Sequence, residues 1–438
     1  MQVFRDAILP DGNRRDVGIA DGQIVAVSDS ISAEESTSVD DEIDARGKRL
    51  FPGMIDGHVH FREPGFPHKE TWTTGSKAAA AGGVTTVVDQ PNTDPPTIDG
   101  RTFDQKERLA TDSIVDYGIN GGVTLEWEPE ELLSRPLFAL GEIFLADSTG
   151  DMGIERDHFE EALREATETD TPVTVHAEDA EYFDESARSR DDAGAWSAYR
   201  TPEAEVAGVE TALTVAADLG TQVHIAHAST PEGIDRAAAA GATTEVTPHH
   251  LFLSTDDIDS LGTFGRMNPP LRDEDCRLGV AERVSNGTVD MIATDHAPHT
   301  RAEKDASIWD APSGVPGVET ALPLLLAAAR DGLLTYERVR DLTAATPASV
   351  FGLENKGTIA AGMDADLVLV DPDSTREIRG THLHGKTDWT PFEGMVGVFP
   401  ELTMVRGRVV WRADDPGRAS GTFGDAVGRN VREADGIS

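Results

Sequence analysis

From Phe51 onward, apolar β-rich runs alternate with Ala-, Glu- and Arg-rich segments of helical spacing, and this alternation narrows the fold more than any other feature. The strand candidates are residues 53–60, 84–90, 113–121, 137–146, 172–176, 222–228, 243–247 and 289–295, eight in all. Helix candidates at 69–81, 156–167, 203–219, 231–240 and 318–330 fall between or after them. Eight strands with helical crossovers in about 300 residues point to an α/β fold, a (β/α)8 TIM-like barrel; a doubly wound open sheet has the same periodicity and stays open at this level. The first fifty residues read instead as short strands with turn punctuation, and ADLVLVDP and TMVRGRVVW return to that texture near the other end. The expected organisation is therefore a barrel over 51–350 beside a small flanking β domain built from both termini, 1–50 and 351–438. The last ten or so residues, rich in Gly, Arg and Asp, are expected to fray.

Charge excludes several partners. Lys+Arg total 38 against 79 Asp+Glu, a formal net charge of −41, which opposes broad contact with nucleic acid or an anionic membrane. Lysine is scarce, with Arg supplying most of the positive charge, and the surface is the kind expected of a halophilic protein. No apolar run approaches the roughly 18 residues of a membrane helix. The single cysteine, Cys276, and a start without a basic and apolar leader make a cytoplasmic location the expectation. Neither a GxGxxG nor a GxxxxGK[ST] string occurs, so a nucleotide cofactor has no support.

The strongest local signal is DGHVHFR, residues 56–62, ending an apolar strand. Side chains two apart share a strand face, so His58 and His60 point together to where a cation can be gripped. Further candidates close later strands, on the face where barrels carry their sites: His176, His227 and Asp295. Four imidazoles and a carboxylate suit zinc or a similar borderline metal. His224 has the opposite parity to His227 and should support the site or face the helices. His249 and His250 are read as supports for bound ligands, with direct ligation left open.

The ordered strings FPGMIDGHVHFREPG, HKE, AAAAGGVTTVVDQPNT, MNPPLR, TDHAPH, SGVPGVETALPLL and GTIAAGMDADLVLVDP run over essentially the whole chain. Together they resemble the dihydroorotases of the amidohydrolase superfamily, in their long-chain class. The resemblance implies one or two Zn2+ ions at the barrel mouth and the reversible cyclisation of N-carbamoyl-L-aspartate to dihydroorotate in pyrimidine synthesis. It implies His58, His60, His176, His227 and Asp295 as metal ligands, with Asp295 also the proton shuttle. Arg62 and Asn92 match positions that hold the substrate carboxylate; His60, Asn268 and His299 match further substrate contacts, and Ser313 and Gly314 a loop whose backbone meets the pyrimidine ring.

One departure stands out. Many relatives bridge two metals with a carboxylated lysine on the fourth strand, but no lysine occurs here between Lys106 and Lys304. In GEIFLADSTG, Glu142 occupies that position and is expected to bridge in its place, with Asp147 the alternative. Two other readings remain: an allantoinase- or dihydropyrimidinase-like cyclic amide hydrolase, and a catalytically inactive structural partner of aspartate transcarbamoylase. Arg62 and the strings PNT, NPPLR and DHAPH favour the small carboxylate-bearing substrate, and the complete set of non-bridging ligands argues against an inactive chain. A homo-oligomer is compatible with all of these.

Overall fold

A computed structural model describes residues 1–31, 41–145, 152–415 and 417–433. Eight parallel strands follow one another as the alternation predicts: β1 (Met54–Val59), β2 (Val84–Asp89), β3 (Asp116–Ile119), β4 (Leu140–Leu145), β5 (Val173–Ala177), β6 (His224–Ile225), β7 (Thr243–Val246) and β8 (Met291–Ile292). Neighbours pair in parallel from β1 to β3 and from β4 to β8. Gly121 bridges Leu140 between β3 and β4, and Val59 bridges His296 just past β8. The second bridge decides between the two topologies, because an open sheet would leave β1 and β8 as edges. The fold is a closed (β/α)8 barrel.

Several strands are shorter than their apolar runs, β6 and β8 being two residues each. Beyond them the chain turns inward through His227 and Asp295, so the run continues as buried loop. The crossover helices carry legible stop and start chemistry. Thr201 and Thr230 cap helices Pro202–Leu219 and Pro231–Ala240, each with Pro at the first turn, and Gly220 and Gly241 close them in the left-handed conformation at φ 67 and 76. The helix expected at 69–81 instead begins at Trp72, because the Thr71 side chain accepts the Thr74 amide and fixes the N-terminus there. Lys69 is thereby left in the preceding loop.

The terminal segments build one nine-stranded sheet. Strand Arg49–Pro52 pairs antiparallel with Leu367–Glu377, joining the N-terminal strands to the C-terminal ones. Phe4, Val17, Leu50, Leu367 and Met404 form a core separate from that of the barrel. The final described residues are not loose: Tyr117 of β3 donates its amide to the Arg429 carbonyl and accepts from Val431, which ties the tail to the barrel. Among the described residues no helix is long and apolar enough to cross a membrane.

Candidate metal and substrate site

The C-terminal ends of the barrel strands bring the expected residues together. His58, in β1, and His60, just past its end, stand two residues apart with ring centroids 5.2 Å apart. Glu142 comes from within β4 and His176 from β5, while His227 and Asp295 lie just past β6 and β8. His227 and Asp295 have φ of 34 and 45, conformations that cost non-glycine residues energy and persist only where the surroundings enforce them. Here they turn both side chains toward Glu142 and the two β1 histidines. Arg62, at φ 65, shares this strain.

Glu142 is the centre of the cluster. Its Oε1 lies 2.6 Å from His227 Nε2 and 3.0 Å from His176 Nδ1, and its Oε2 lies 3.3 Å from His58 Nε2. Asp295 Oδ1 is 2.9 Å from His60 Nε2 and 3.7 Å from His58 Nε2. Two groups, His58–His60–Glu142 and Glu142–His176–His227, therefore have donor atoms close enough for a metal ion, and they share the glutamate.

The outward nitrogens decide which atoms face the centre. His58 Nδ1 meets Glu245 Oε1 at 2.6 Å, His60 Nδ1 meets Asn92 Oδ1 at 2.7 Å, and His176 Nε2 lies 3.2 Å from Glu178 Oε2. A carboxylate only accepts, so His58 Nδ1 carries a proton toward Glu245, and a neutral ring then offers the Nε2 lone pair inward. That lone pair faces Glu142 Oε2, acceptor against acceptor. His58 Nε2 is buried with no hydrogen-bond partner. Such a donor set fits a shared cation and is costly without one.

A proton competes with a cation for that inward nitrogen, and the surrounding carboxylates favour either positive charge. Burial opposes charge on His58, but Glu142 and Glu245 hold its pKa well above the ordinary imidazole value. Burial likewise opposes the Glu142 carboxylate, yet His58 and His227, with bonds from His176 and His227, keep it well below the usual range. Burial works against ionised Asp295 as well, and the bond from His60 with the neighbouring histidines lowers its pKa.

Beside this cluster lies a small cavity bordered by Arg62, Asn92, Asn268, Ser313 and Gly314. Arg62 is 7% exposed, and among the described residues no carboxylate pairs with it; its Nε donates to the Pro298 carbonyl at 3.3 Å. Burial lowers its pKa to about 10. The Ser313–Gly314 loop is fastened by buried Lys304, whose Nζ donates to the carbonyls of Arg266, Pro312 and Gly314 at 2.9, 2.9 and 3.2 Å. At Gly314, φ is 127 and an added Cβ would stand 2.6 Å from the Ala297 carbonyl oxygen, so this loop needs glycine to approach the strand end.

His299 sits against Arg62, its Nε2 3.1 Å from an Arg62 terminal nitrogen and 2.9 Å from the Ser313 carbonyl oxygen, and its Nδ1 3.1 Å from Lys69 Nζ. Burial first, then Arg62, Lys69 and Lys304, depress its pKa, so the ring is neutral. His224 supports the cluster, its Nε2 meeting Glu245 Oε2 at 3.2 Å. His250 bonds the Pro269 carbonyl beside Asn268, while His249 is buried, with its pKa pushed down to about 4 by burial. Asp147 lies outside the described residues.

Sequence reasoning missed the supports. Glu245 and Glu178 are buried carboxylates that hold His58 and His176, and Gln90 accepts the Glu142 amide at 2.7 Å. The available signals were parity, since Glu178 is two residues past His176, and a lone charge inside the β-branched strand TTEV.

The amidohydrolase family signature matches residues 49–410. A dihydroorotase of Halobacterium salinarum is 62% identical over 434 residues, covering 99% of this chain and 100% of the relative. The chain belongs to the dihydroorotase family. A second dihydroorotase, from Methanosarcina mazei, is 44% identical over 95% of each chain. Among solved structures, an L-hydantoinase (dihydropyrimidinase) from Arthrobacter aurescens has a TM-score of 0.90 at 26% identity, covering 98% of both chains. The chain is thus a hydrolase of the dihydroorotase family on a barrel scaffold shared with hydantoinases.

Proposed function

We propose that the chain interconverts N-carbamoyl-L-aspartate and dihydroorotate as a cytoplasmic enzyme of pyrimidine biosynthesis, using one or two Zn2+ ions. His58, His60, Glu142, His176, His227 and Asp295 would hold them, Glu142 serving both positions. The observation that supports the substrate assignment is Arg62, a buried guanidinium that pairs with no carboxylate among the described residues. Burying such a charge is expensive unless a partner arrives, and a planar fork suits a carboxylate. Domain organisation follows the same reading, with 51–350 as the catalytic barrel and 1–50 and 351–438 as its flanking β unit.

Zinc, when bound, supplies Lewis acidity that makes water a stronger acid and an unstrained amide carbonyl more electrophilic. The chain's own residues do the rest. Arg62 and the Asn92 amide grip the ring carboxylate and fix the ring against the histidine cluster. In ring opening, water adds to the ring amide carbon, Asp295 takes its proton, the C–N bond breaks, and Asp295 returns the proton to the leaving nitrogen. Ring closure reverses each transfer. His60, 2.9 Å from Asp295 Oδ1, keeps the shuttle ionised and oriented.

An uncharged cyclic amide is the second reading, favoured by the hydantoinase neighbours. Arg62→Gln separates the two. Losing a charged hydrogen-bonding pair should raise KM for dihydroorotate about 10- to 100-fold while leaving any turnover of dihydrouracil unchanged. Equal KM values for dihydroorotate in wild type and variant would remove the carboxylate assignment.

The net charge of −41 should slow an anionic substrate on approach unless salt screens it, to a Debye length of about 3 Å at 1 M. Stability and activity are therefore expected to rise into molar KCl, measured by thermal unfolding and initial rates. Full stability and activity in dilute buffer would contradict the halophilic reading alone.

A further inference from the structure

The connection from β5 to helix Pro202–Leu219 carries a short helix, Ala195–Tyr199, with Trp196 on it. Trp196 is 8% exposed, and its indole N–H is divided between the Met267 carbonyl at 3.1 Å and Asn268 Oδ1 at 3.0 Å. The ring is held where it stands. The Arg266 guanidinium lies 3.7 Å above its centroid, and the Tyr199 and Trp309 rings pack at 5.6 and 5.8 Å.

An indole N–H only donates, so the atom of Asn268 that faces it must be the oxygen. Flipping the amide would set donor against donor. The Asn268 NH2 therefore points away from Trp196 and into the cavity it borders. Asn92 is committed in the same sense: its Oδ1 is occupied by His60 Nδ1, which leaves its NH2 as the free end. With Arg62, the substrate side of the cavity is thus furnished with donors whose acceptor atoms are already taken.

We propose that Trp196 is a positioning residue that fixes Asn268 as a hydrogen-bond donor, so that this subsite admits only a carboxylate or carbonyl oxygen of the substrate. The proposal rests on the dihydroorotase reading for its substrate, and deepens it by naming what sets donor polarity. Trp196 itself touches no substrate and acts through Asn268.

A double-mutant cycle tests it. Trp196→Phe keeps an aromatic ring and removes the N–H; KM for dihydroorotate should rise about tenfold, the worth of one hydrogen bond, with kcat little changed. Asn268→Ala should cost at least as much, and Trp196→Phe should add nothing in that background. Equal costs of Trp196→Phe with and without Asn268 would overturn the proposal, as would an unchanged KM. Should Trp196→Phe fail to fold, Asn268→Asp decides: it can still accept from Trp196 but presents oxygen to the cavity, and should raise KM by more than the alanine variant does. Binding by Asn268→Asp as tight as wild type would overturn the proposal. Wild-type turnover in the same assay reports on the reaction separately: a preference for hydantoin would sink the dihydroorotase reading, and the cycle would then be run on hydantoin. A wild type inert on both would overturn both.

Discussion

Glu142→Ala is expected to release bound metal and to lower kcat/KM by about three orders of magnitude or more. The glutamate is the one carboxylate shared by both candidate metal groups, and it alone separates histidine nitrogens whose lone pairs converge. Removing it deletes a ligand and leaves His58, His176 and His227 without their common counter-charge, so metal binding and the several kcal/mol of transition-state stabilisation that depend on it should go together. Metal analysis of the purified variant is the primary readout, with activity the second. Asp147→Ala, by contrast, should keep its metal. The reverse order, metal lost from Asp147→Ala and kept by Glu142→Ala, would transfer the bridging role to the aspartate. Because the carboxylate here is encoded in the sequence, metal uptake should also be independent of added bicarbonate.

The second large effect is expected at Asp295. Asp295→Asn keeps the side-chain shape 2.9 Å from His60 Nε2 but cannot carry a proton from water to the leaving nitrogen. A positioned general acid–base group contributes about 10²- to 10⁴-fold, and kcat should fall by that factor with KM for dihydroorotate changing much less. A variant within a fewfold of wild type would show that the shuttle is another group. Measuring metal content alongside separates this loss from loss of a ligand.

Much of this site was legible in the sequence because parity and strand ends are strong constraints. Two histidines at i and i+2 in an apolar run must share a face, and barrels gather strand ends at one mouth. The positions of His58, His60, His176, His227 and Asp295 follow from that, whereas Glu142, inside its strand, was named only through the family resemblance. What one strand cannot reveal is the partner on the next. Glu245 orients His58 across the barrel, and no spacing in the chain announces that pairing. Closure had the same character: periodicity left the open sheet standing until the Val59–His296 bridge removed its edges.

The lysines were legible only as a scarcity. Lys106 and Lys304 prove fully buried, and the Lys356 side chain is 8% exposed, paired with Asp116, Asp364 and Asp366. Lys106 bonds Asp89 and the Gln90 carbonyl, behind the end of β2 from which Asn92 projects. An acidic surface can dispense with lysine, but a buried cation that must donate to carbonyls or carboxylates has fewer substitutes. His299, expected at the substrate, lies against Arg62 and the Ser313 carbonyl, two residues that border the cavity.

The most direct test of the account is a side-by-side assay of the purified, zinc-loaded protein on dihydroorotate, allantoin and dihydrouracil in molar salt. Turnover of dihydroorotate should exceed the other two by orders of magnitude, since only dihydroorotate brings a ring carboxylate to the buried Arg62, which pairs with none among the described residues. Activity on allantoin or dihydrouracil equal to or above that on dihydroorotate would contradict it.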